Sequence, residues 1–248
     1  MSMKIAVVSD IHGNLPALEA VVADFGRRGV DAVVNLGDSL SGPLLPLETA
    51  QYLMARDWVQ LAGNHERQIL QEDAPRGTSD EFARSCLGAG ELSWLARLRP
   101  RADFSEDVLL CHGTPDSDMQ YLLETVVAGG GVRLAGAREI DERLQGVKAG
   151  LVLCGHSHVP RSARSQRGQL VVNPGSVGLP GFIASHPHPH IVANASPDAR
   201  YAIVEQRGRT WVSNLIAVDY DFESMAQLAH RRGRAQWRDA LRTGYPEG

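Results

Sequence analysis

Five short apolar segments of the sequence each end in residues that can bind a metal ion. Residues 5–8 run into Asp10 and His12, which an extended backbone would aim at the same ion because they are two positions apart. Carboxylate oxygens and imidazole nitrogens are common ligands of divalent metals. The candidate metal ligands in these five turns are Asp10, His12, Asp38, Asn64, His112, His156 and His158.

A set of seven ligands predicts two metal ions rather than one. Asp38 is the expected bridge between them, because a carboxylate has two oxygens to share. The mixed nitrogen and oxygen donors fit Mn, Fe, Zn, Ni or Co and do not select among these metals. One ion would be held by Asp10, His12, Asp38 and His158, and the other by Asp38, Asn64, His112 and His156.

The charge of such a centre predicts an anionic substrate. Two divalent ions outweigh two carboxylates and a bridging hydroxide, so a positive surplus is left for a phosphate ester. Bound metals lower the pKa of water to about 7 in favourable cases, which supplies a hydroxide to attack phosphorus. His65 is not needed as a ligand, and we expect it to act in catalysis, as the acid for the leaving oxygen or as a cation over the transition state. A purely structural hydrogen bond is the alternative for this residue.

Parallel strands explain how ligands so far apart in the sequence can meet. A strand, an amphipathic helix over 15–28 and a second strand predict a βαβ unit over residues 4–36. Sheets of this kind bind ligands beyond the carboxyl ends of their strands. The segments 58–62, 108–111 and 151–154 are predicted to add further strands.

The second half of the chain favours antiparallel pairs. Residues 201–206 and 210–218 predict a hairpin, and 221–242 predict a helix with a break at Gly233. We expect a helix over 116–127 near the mouth of the site. The whole chain, 1–248, is predicted to form one domain, with 219–248 as a helical extension packed on it.

Composition and charge exclude several classes of protein. The 248 residues carry a net charge of −4, which provides no strong attraction for nucleic acid. No apolar stretch is long enough to span a bilayer, and no signal peptide precedes the first strand. Three irregularly spaced cysteines argue against a disulfide framework. We therefore expect a cytoplasmic protein whose partner is a small phosphorylated substrate, which could be a nucleotide.

The ordered motifs resemble those of the calcineurin-like metallophosphoesterase superfamily over residues 4–176. The resemblance implies an α/β fold, a four-layer α/β/β/α sandwich of two packed mixed sheets flanked by helices. It also implies a dinuclear site with the division of ligands given above and His65 as the catalytic histidine. The opening 9–20 and the turn 173–176 are similar to the compact bacterial phosphodiesterase branch. The motifs are Asp10-x-His12, Gly37-Asp38, Gly63-Asn64-His65-Glu66, His112 and Gly155-His156-Ser157-His158.

One departure from the superfamily bears on the substrate. Protein phosphatases and symmetrical dinucleoside tetraphosphatases carry Asp-Arg-Gly after the second motif, whereas this chain has Ser41-Gly42-Pro43 and lacks that arginine. The expected activity is metal-dependent hydrolysis of a small phosphodiester or phosphomonoester, with manganese among the candidate metals. The alternatives are asymmetrical hydrolysis of a dinucleoside polyphosphate, or a binding module that kept the fold without the chemistry.

Residues 179–199 form an unusually long connection with a repeated His-Pro pattern. Long loops without secondary structure are commonly functional or disordered. We expect a loop that controls access to the site, with His186, His188 and His190 as candidate substrate-binding residues. The alternative is a surface loop with three solvated imidazoles.

Overall fold

The computed structural model describes residues 3–73 and 75–247 of the chain. Residues 1–2, 74 and 248, which the single-domain prediction also spans, lie outside this range. In the first half of the chain the elements are β1 (Lys4–Val8), α1 (Leu15–Gly26), β2 (Ala32–Asn35), α2 (Pro46–Met54), β3 (Val59–Gln60), α3 (Asn64–Leu70), α4 (Thr78–Cys86), α5 (Ala89–Leu95), β4 (Arg101–Ser105) and β5 (Val108–Cys111). The second half contains β6 (Glu124–Val126), β7 (Val132–Leu134), α6 (Ala137–Leu144), β8 (Leu151–Leu153), β9 (Arg161–Arg164), β10 (Leu170–Asn173), β11 (Gly181–Ala184), β12 (His190–Ala193), β13 (Ala199–Arg207), β14 (Thr210–Val218), α7 (Phe222–Arg231) and α8 (Ala235–Thr243).

The first sheet has the strand order β14-β13-β1-β2-β3. Strands β1, β2 and β3 are parallel, and β13 joins β1 in antiparallel orientation. Helix α1 connects β1 to β2, which confirms the βαβ unit. The helix begins where the Asn14 side chain accepts a hydrogen bond from the backbone N–H of Ala17, and Leu18, Val21 and Phe25 are buried along one face.

The second sheet has the strand order β4-β5-β8-β10-β9. Its three central strands are parallel, while β4 and β9 form antiparallel edges. The central strands are buried along their whole length, which agrees with their continuous apolar sequences. Both sheets are therefore mixed, and each presents the carboxyl ends of its parallel strands to the candidate site.

Alternating side chains divide the core into three apolar layers. Ile5 and Val7 of β1 pack between the sheets against Leu151 and Leu153 of β8. The intervening residues face outward, so Val8 packs in the same layer as helix α1 on one side. Cys111, Val152 and Val171 of the second sheet pack in one layer with residues of α6 on the other side. The period of two in each strand thus builds the predicted four-layer sandwich.

Two segments differ from the expected local structure. Residues 116–127 contain no helix; instead, β6 pairs with β7 across the glycines at 129–131. The β-branched residues Thr125 and Val126 favour this strand. The expected loop over 179–199 contains the hairpin of β11 and β12, in which Phe182 pairs with Val192 and Ile183 with Ile191. The apolar residues on either side of the His-Pro repeat form these two strands, and the sequence analysis did not recognise them because it read the repeat as part of a single loop.

The C-terminal helices pack against the connection that follows β2. Gly233, at a φ of +72°, separates α7 from α8 as predicted. Leu44 lies in one apolar cluster with Met225, Ala226 and Leu241. The Arg232 guanidinium donates hydrogen bonds to the backbone carbonyls of residues 43 and 44. These contacts support our proposal of one domain with 219–248 packed on it. None of the helices in the described ranges is long and apolar enough to cross a membrane.

Gly178 permits the close approach of two turns and offers a test of the fold. Its N–H donates to the carbonyl of Asp10 at 3.1 Å, and a Cβ here would lie 1.8 Å from the carbonyl oxygen of Ile11. We expect Gly178→Ala to lower the free energy of unfolding by about 1–3 kcal/mol, the usual cost of forcing an extra methyl group into a packed interior. Urea denaturation measures this change.

Gly90→Ala is the matched control, because a methyl group added at this position of α5 would meet no neighbouring atom of the described residues within 4 Å. Its stability should be unchanged or higher by up to about 1 kcal/mol. Equal stabilities for the two variants would show that the turns tolerate a wider separation.

Candidate metal centre

All seven predicted ligands lie together beyond the carboxyl ends of five strands. These are β1, β2 and β3 of the first sheet and β5 and β8 of the second. Six of them are at most 4% exposed, and His156 is half-buried. Three backbone hydrogen bonds join four of the five turns in two pairs. They run from Asp10 to Gly37, from His12 to Asp38 and from Gly155 to His112. The sheet architecture therefore brings together ligands that are up to 148 residues apart in the sequence, from Asp10 to His158.

The first ligand group consists of Asp10, His12 and His158, whose donor atoms all lie within 4.8 Å of one another. The Nε2 atoms of His12 and His158 are 3.1 Å apart, and Asp10 Oδ1 lies 3.3 Å from His158 Nε2. This spacing agrees with the predicted membership of the first ion site, apart from the bridging ligand.

The second ligand group consists of Asp38, His112 and His156, whose donor atoms also lie within 4.8 Å of one another. His112 Nε2 lies 3.0 Å from Asp38 Oδ2 and 3.2 Å from the side-chain oxygen of Asn64. The Asn64 side chain therefore lies beside this group, and its role as a ligand stays a prediction.

Backbone carbonyls fix the orientation of the four imidazoles. The Nδ1–H groups of His12, His112 and His158 donate to the carbonyls of Ser41, Leu36 and Leu179 at 2.7, 2.9 and 2.6 Å. His156 donates instead through Nε2 to the carbonyl of Met119 at 3.1 Å. In a neutral ring the other nitrogen keeps its lone pair, which is the form that binds a metal.

The facing nitrogens of His12 and His158 are the strongest indication of a cation site. Their Nδ1 atoms already carry the protons, so two lone pairs meet at 3.1 Å. Burial, together with the nearby His158 and His65, lowers the pKa of His12 to about 3, so protonation of His12 does not relieve this contact. Asp10 Oδ1 is buried and has no hydrogen-bond partner of standard geometry among the described residues. A divalent ion would satisfy all three atoms.

The second ligand group balances its charges differently. Burial lowers the pKa of His156 to about 4, and the proximity of His112 contributes. Burial also disfavours the charged form of His112, but the Asp38 carboxylate outweighs burial and raises its pKa to about 10. The same attraction holds the pKa of Asp38 well below its usual range despite burial. A metal ion bound here would compete with the His112 proton.

The backbone at the candidate ligands is left-handed, not extended as we expected for Asp10 and His12. These two residues have φ values of +56° and +53°, and Asp38, His156 and His158 share this conformation. Left-handed backbone costs a non-glycine residue about 1–2 kcal/mol. The turns nevertheless place Asp10 and His12 beside the centre immediately after β1, and His156 and His158 beside it after β8. Concentration of this cost at five candidate ligands is typical of a functional site.

Glu66 links the second and third turns, a role that our sequence analysis did not assign. Its fully buried carboxylate accepts hydrogen bonds from the backbone N–H groups of Asp38 at 2.8 Å, Ser39 at 2.7 Å and Gly63 at 2.7 Å. The signal was present, because Glu66 stands at the third position of helix α3, where a glutamate commonly caps the helix start.

His65 is oriented by Asp80, which the sequence analysis missed. The ring Nδ1 lies 2.7 Å from Asp80 Oδ1, and the imidazole is 28% exposed. Burial disfavours its charged form, but the carboxylates of Asp38 and Asp80 outweigh burial and raise its pKa to about 9. Asp80 lies in α4, 15 residues away. No local pattern distinguishes it from an ordinary acidic residue at a helix start.

Two cavities border the centre. The smaller, about 200 Å³, is lined by residues of both ligand groups, His65, Phe182 and Trp237. The larger, about 570 Å³, lies beyond His156 and is lined by Met119 and Tyr121. His186 and His188 are exposed and line the larger cavity, whereas His190 is 2% exposed and hydrogen bonds to the Tyr121 hydroxyl at 2.9 Å. The three histidines thus do not share one edge.

Comparison with known proteins agrees with this fold and cluster. The protein MJ0912 of Methanocaldococcus jannaschii, described as uncharacterized, is 25% identical and is matched over 94% of each chain. A metallophosphoesterase from Sphaerobacter thermophilus superposes with a TM-score of 0.78 at 23% identity, covering 98% of this chain and 100% of that one. The hypothetical protein PH1004 from Pyrococcus horikoshii OT3 superposes with a TM-score of 0.73 at 17% identity, covering 98% of both chains.

The two structures show a shared fold over nearly the whole length of the chain, including α7 and α8. Residues 3–193 match the family described as the calcineurin-like phosphoesterase superfamily domain. This match covers the two ligand groups and His65, and it confirms the resemblance that the motifs indicated. The chain therefore belongs to the calcineurin-like phosphoesterase superfamily and is a metal-dependent phosphoric ester hydrolase.

Proposed function

We propose that the protein hydrolyses a small phosphodiester or phosphomonoester with two divalent metal ions. The observation that carries this proposal is the pair of adjacent ligand groups, each with one carboxylate and two imidazoles. Members of both groups line one cavity with His65. A protein that only binds its ligand would not require an imidazole paired with a buried carboxylate beside such a centre.

The donor atoms suit two ions of the Mn, Fe, Zn, Ni or Co type. In this proposal, Asp38 bridges the two ligand groups and Asn64 completes the second. When bound, such ions neutralise phosphate charge and lower the pKa of water to about 7 in favourable cases. Cys111 is no competing ligand, because burial raises its pKa to about 12 and its thiol donates to the backbone carbonyl of Gly113.

His65 donates a proton to the leaving oxygen in the proposed reaction. Asp80 accepts the Nδ1–H bond, which favours the protonated ring and leaves Nε2 as the nitrogen that can reach a substrate. The ring lies beside the first ligand group, with its centroid 5.4 Å from that of His12. Proton transfer at this position would assist cleavage of the bond between phosphorus and the leaving oxygen.

The cavity supports a small substrate held mainly by its phosphate. None of the described residues that line it is Lys or Arg, so charge neutralisation falls to the metal ions. The neighbouring 570 Å³ cavity favours asymmetrical hydrolysis of a dinucleoside polyphosphate as a second candidate, because it would have room for a second organic group.

A substrate screen tests the proposal directly. We expect purified protein loaded with manganese to cleave p-nitrophenyl esters, and a chelator to abolish the activity until a divalent metal is restored. Parallel assays with phosphomonoesters, phosphodiesters and dinucleoside polyphosphates separate the leading function from the second candidate. Metal-bound protein that is inactive on all three classes would contradict the proposed function.

Asp38→Ala tests the bridging assignment. We expect this variant to lose bound metal and activity together, because one carboxylate serves both ligand groups. Metal analysis by mass spectrometry, alongside the ester assay, gives the stoichiometry. Asp57→Ala is the control, since Asp57 is an exposed residue outside the site. Retention of two ions per chain in Asp38→Ala would exclude the bridge.

His65→Ala should keep both metals and lose about 10²–10⁴-fold in rate, the usual contribution of general acid catalysis. The loss should be smaller for a p-nitrophenyl ester than for an alkyl ester, because p-nitrophenolate leaves without a proton. Asp80→Asn should show the same leaving-group pattern at a smaller magnitude, since the imidazole is still present. Equal losses on both esters would instead indicate that His65 stabilises charge or orients Asn64.

A further inference from the structure

We infer that Trp237, Phe182 and Ile183 form an aromatic wall that binds the planar ring of an aryl or nucleoside phosphate ester. The phosphate of that ester would occupy the metal centre, so this inference rests on the proposed function. The wall defines the substrate class more narrowly than the metal ligands do. Its components lie on α8 and β11, and Trp237 comes from outside the family match at 3–193.

The aromatic wall stands directly beside the first ligand group. The Trp237 ring centroid is 5.9 Å from that of His12, and the Phe182 ring centroid is 4.5 Å from that of His158. All three wall residues line the same 200 Å³ cavity as these imidazoles and His65. A ring attached to a phosphate at the metal centre would therefore be within reach of the wall.

Glycine at position 42 allows Trp237 to enter this cavity. A Cβ on Gly42 would lie 2.6 Å from Cη2 and 3.1 Å from Cζ3 of the indole, and Gly42 itself has a φ of +151°. The benzene edge of Trp237 is therefore seated against the backbone of residue 42. The pyrrole edge lies at the opposite end of the indole.

The two elements that carry the wall are attached to each other. The backbone N–H of Asn194, just after β12, donates to the carbonyl of Gly244, just after α8, at 3.2 Å. Gly181 of β11 packs so closely on Gly244 that a Cβ there would lie 2.7 Å from the same carbonyl oxygen. The hairpin and the helix therefore hold Phe182 and Trp237 in a fixed relation before any substrate binds, which lowers the entropic cost of binding.

The polar surroundings of the wall also indicate a ligand. Ser41 is fully buried and lines the same cavity, yet its hydroxyl has no hydrogen-bond partner among the residues that the structure describes. Buried hydroxyl groups are normally paired. Ile183 is 44% exposed, and Phe182 and Trp237 are half-buried. An apolar surface and an unpaired hydroxyl in one cavity fit a ligand with a ring and a polar edge.

The composition of the wall predicts broad selectivity among rings. Aromatic faces attract any planar ring. Apart from the metal centre and His65, the described residues that line this cavity carry no charge, so none of them offers a charged partner to the hydrogen-bonding edge of a base. We therefore expect aryl, purine and pyrimidine esters to be favoured over alkyl esters. The wall selects for the presence of a ring more than for its identity.

Binding of three phosphate probes to the manganese-loaded protein tests the inference without relying on turnover. The probes are inorganic phosphate, methylphosphonate and phenylphosphonate, measured by isothermal titration calorimetry. We expect wild-type protein to bind phenylphosphonate about 10-fold more tightly than methylphosphonate, the scale of one aromatic contact with its apolar area. Trp237→Ala should abolish this preference while its affinity for inorganic phosphate stays within about twofold.

Two further variants separate ring stacking from packing. Trp237→Leu keeps an apolar side chain against Gly42 but has no aromatic face, so it should also lose the preference for the phenyl probe. Trp237→Phe should retain most of it. Gln236→Ala changes the exposed neighbour on the same helix and should match wild-type protein with all three probes.

The outcomes distinguish failure of the aromatic wall from failure of the proposed function. Wild-type protein that binds phosphate without preferring the phenyl probe would overturn the aromatic wall and leave the proposed function intact. A phenyl preference that persists in both Trp237→Ala and Trp237→Leu would also overturn it, because the ring would then bind elsewhere. If metal-loaded wild-type protein binds none of the three probes, the proposed function fails and the wall fails with it.

Discussion

Backbone hydrogen bonds between successive turns are the constraint on which the rest of the centre depends. Asp10 and His12 donate their N–H groups to the carbonyls of residues 37 and 38, and Val177 donates to Ser9. These bonds, together with the Glu66 carboxylate, hold a left-handed backbone that few residue types accept readily. This conformation occurs where candidate ligands follow directly on a buried strand. Backbone geometry thus fixes where the candidate ligands stand.

Burial then makes the side-chain chemistry specific. The carboxylates Asp10 and Asp38 are almost completely removed from water, which by itself raises their pKa values, but positive charge on the neighbouring imidazoles lowers both. Each of the four imidazoles donates one N–H to a backbone carbonyl, which turns its other nitrogen toward the neighbouring ligands. Such an arrangement is costly unless a cation completes it, because buried lone pairs without a donor lose their interactions with water. In each group the donor atoms lie close enough together for one cation to satisfy all of them.

The parts of the chain outside the superfamily match shape the approach to this centre. The ligand groups and His65 lie within 3–193, whereas α7 and α8 follow this range and pack on the loop beside His12. The hairpin of β11 and β12 connects the two regions, since it lies near the end of the match and contacts the last helix. In our proposal the common core supplies the reaction, and the C-terminal helices supply surface that discriminates among substrates.

The sequence by itself determined the sandwich, the βαβ unit and the seven residues that the structure brings together. These features have local signals: apolar strands of period two, glycine-bounded turns and polar residues at strand ends. The left-handed backbone of Asp10, the pairing of His65 with Asp80, the hairpin within 179–199 and the position of Trp237 were decided only by the tertiary structure. Trp237 lies beside His12 because α8 packs on a loop from the first part of the chain, and no local pattern records such a contact. Residue type and position at a strand end suffice to identify the candidate metal-binding side chains. The residues that contact those side chains depend on which distant segments pack together.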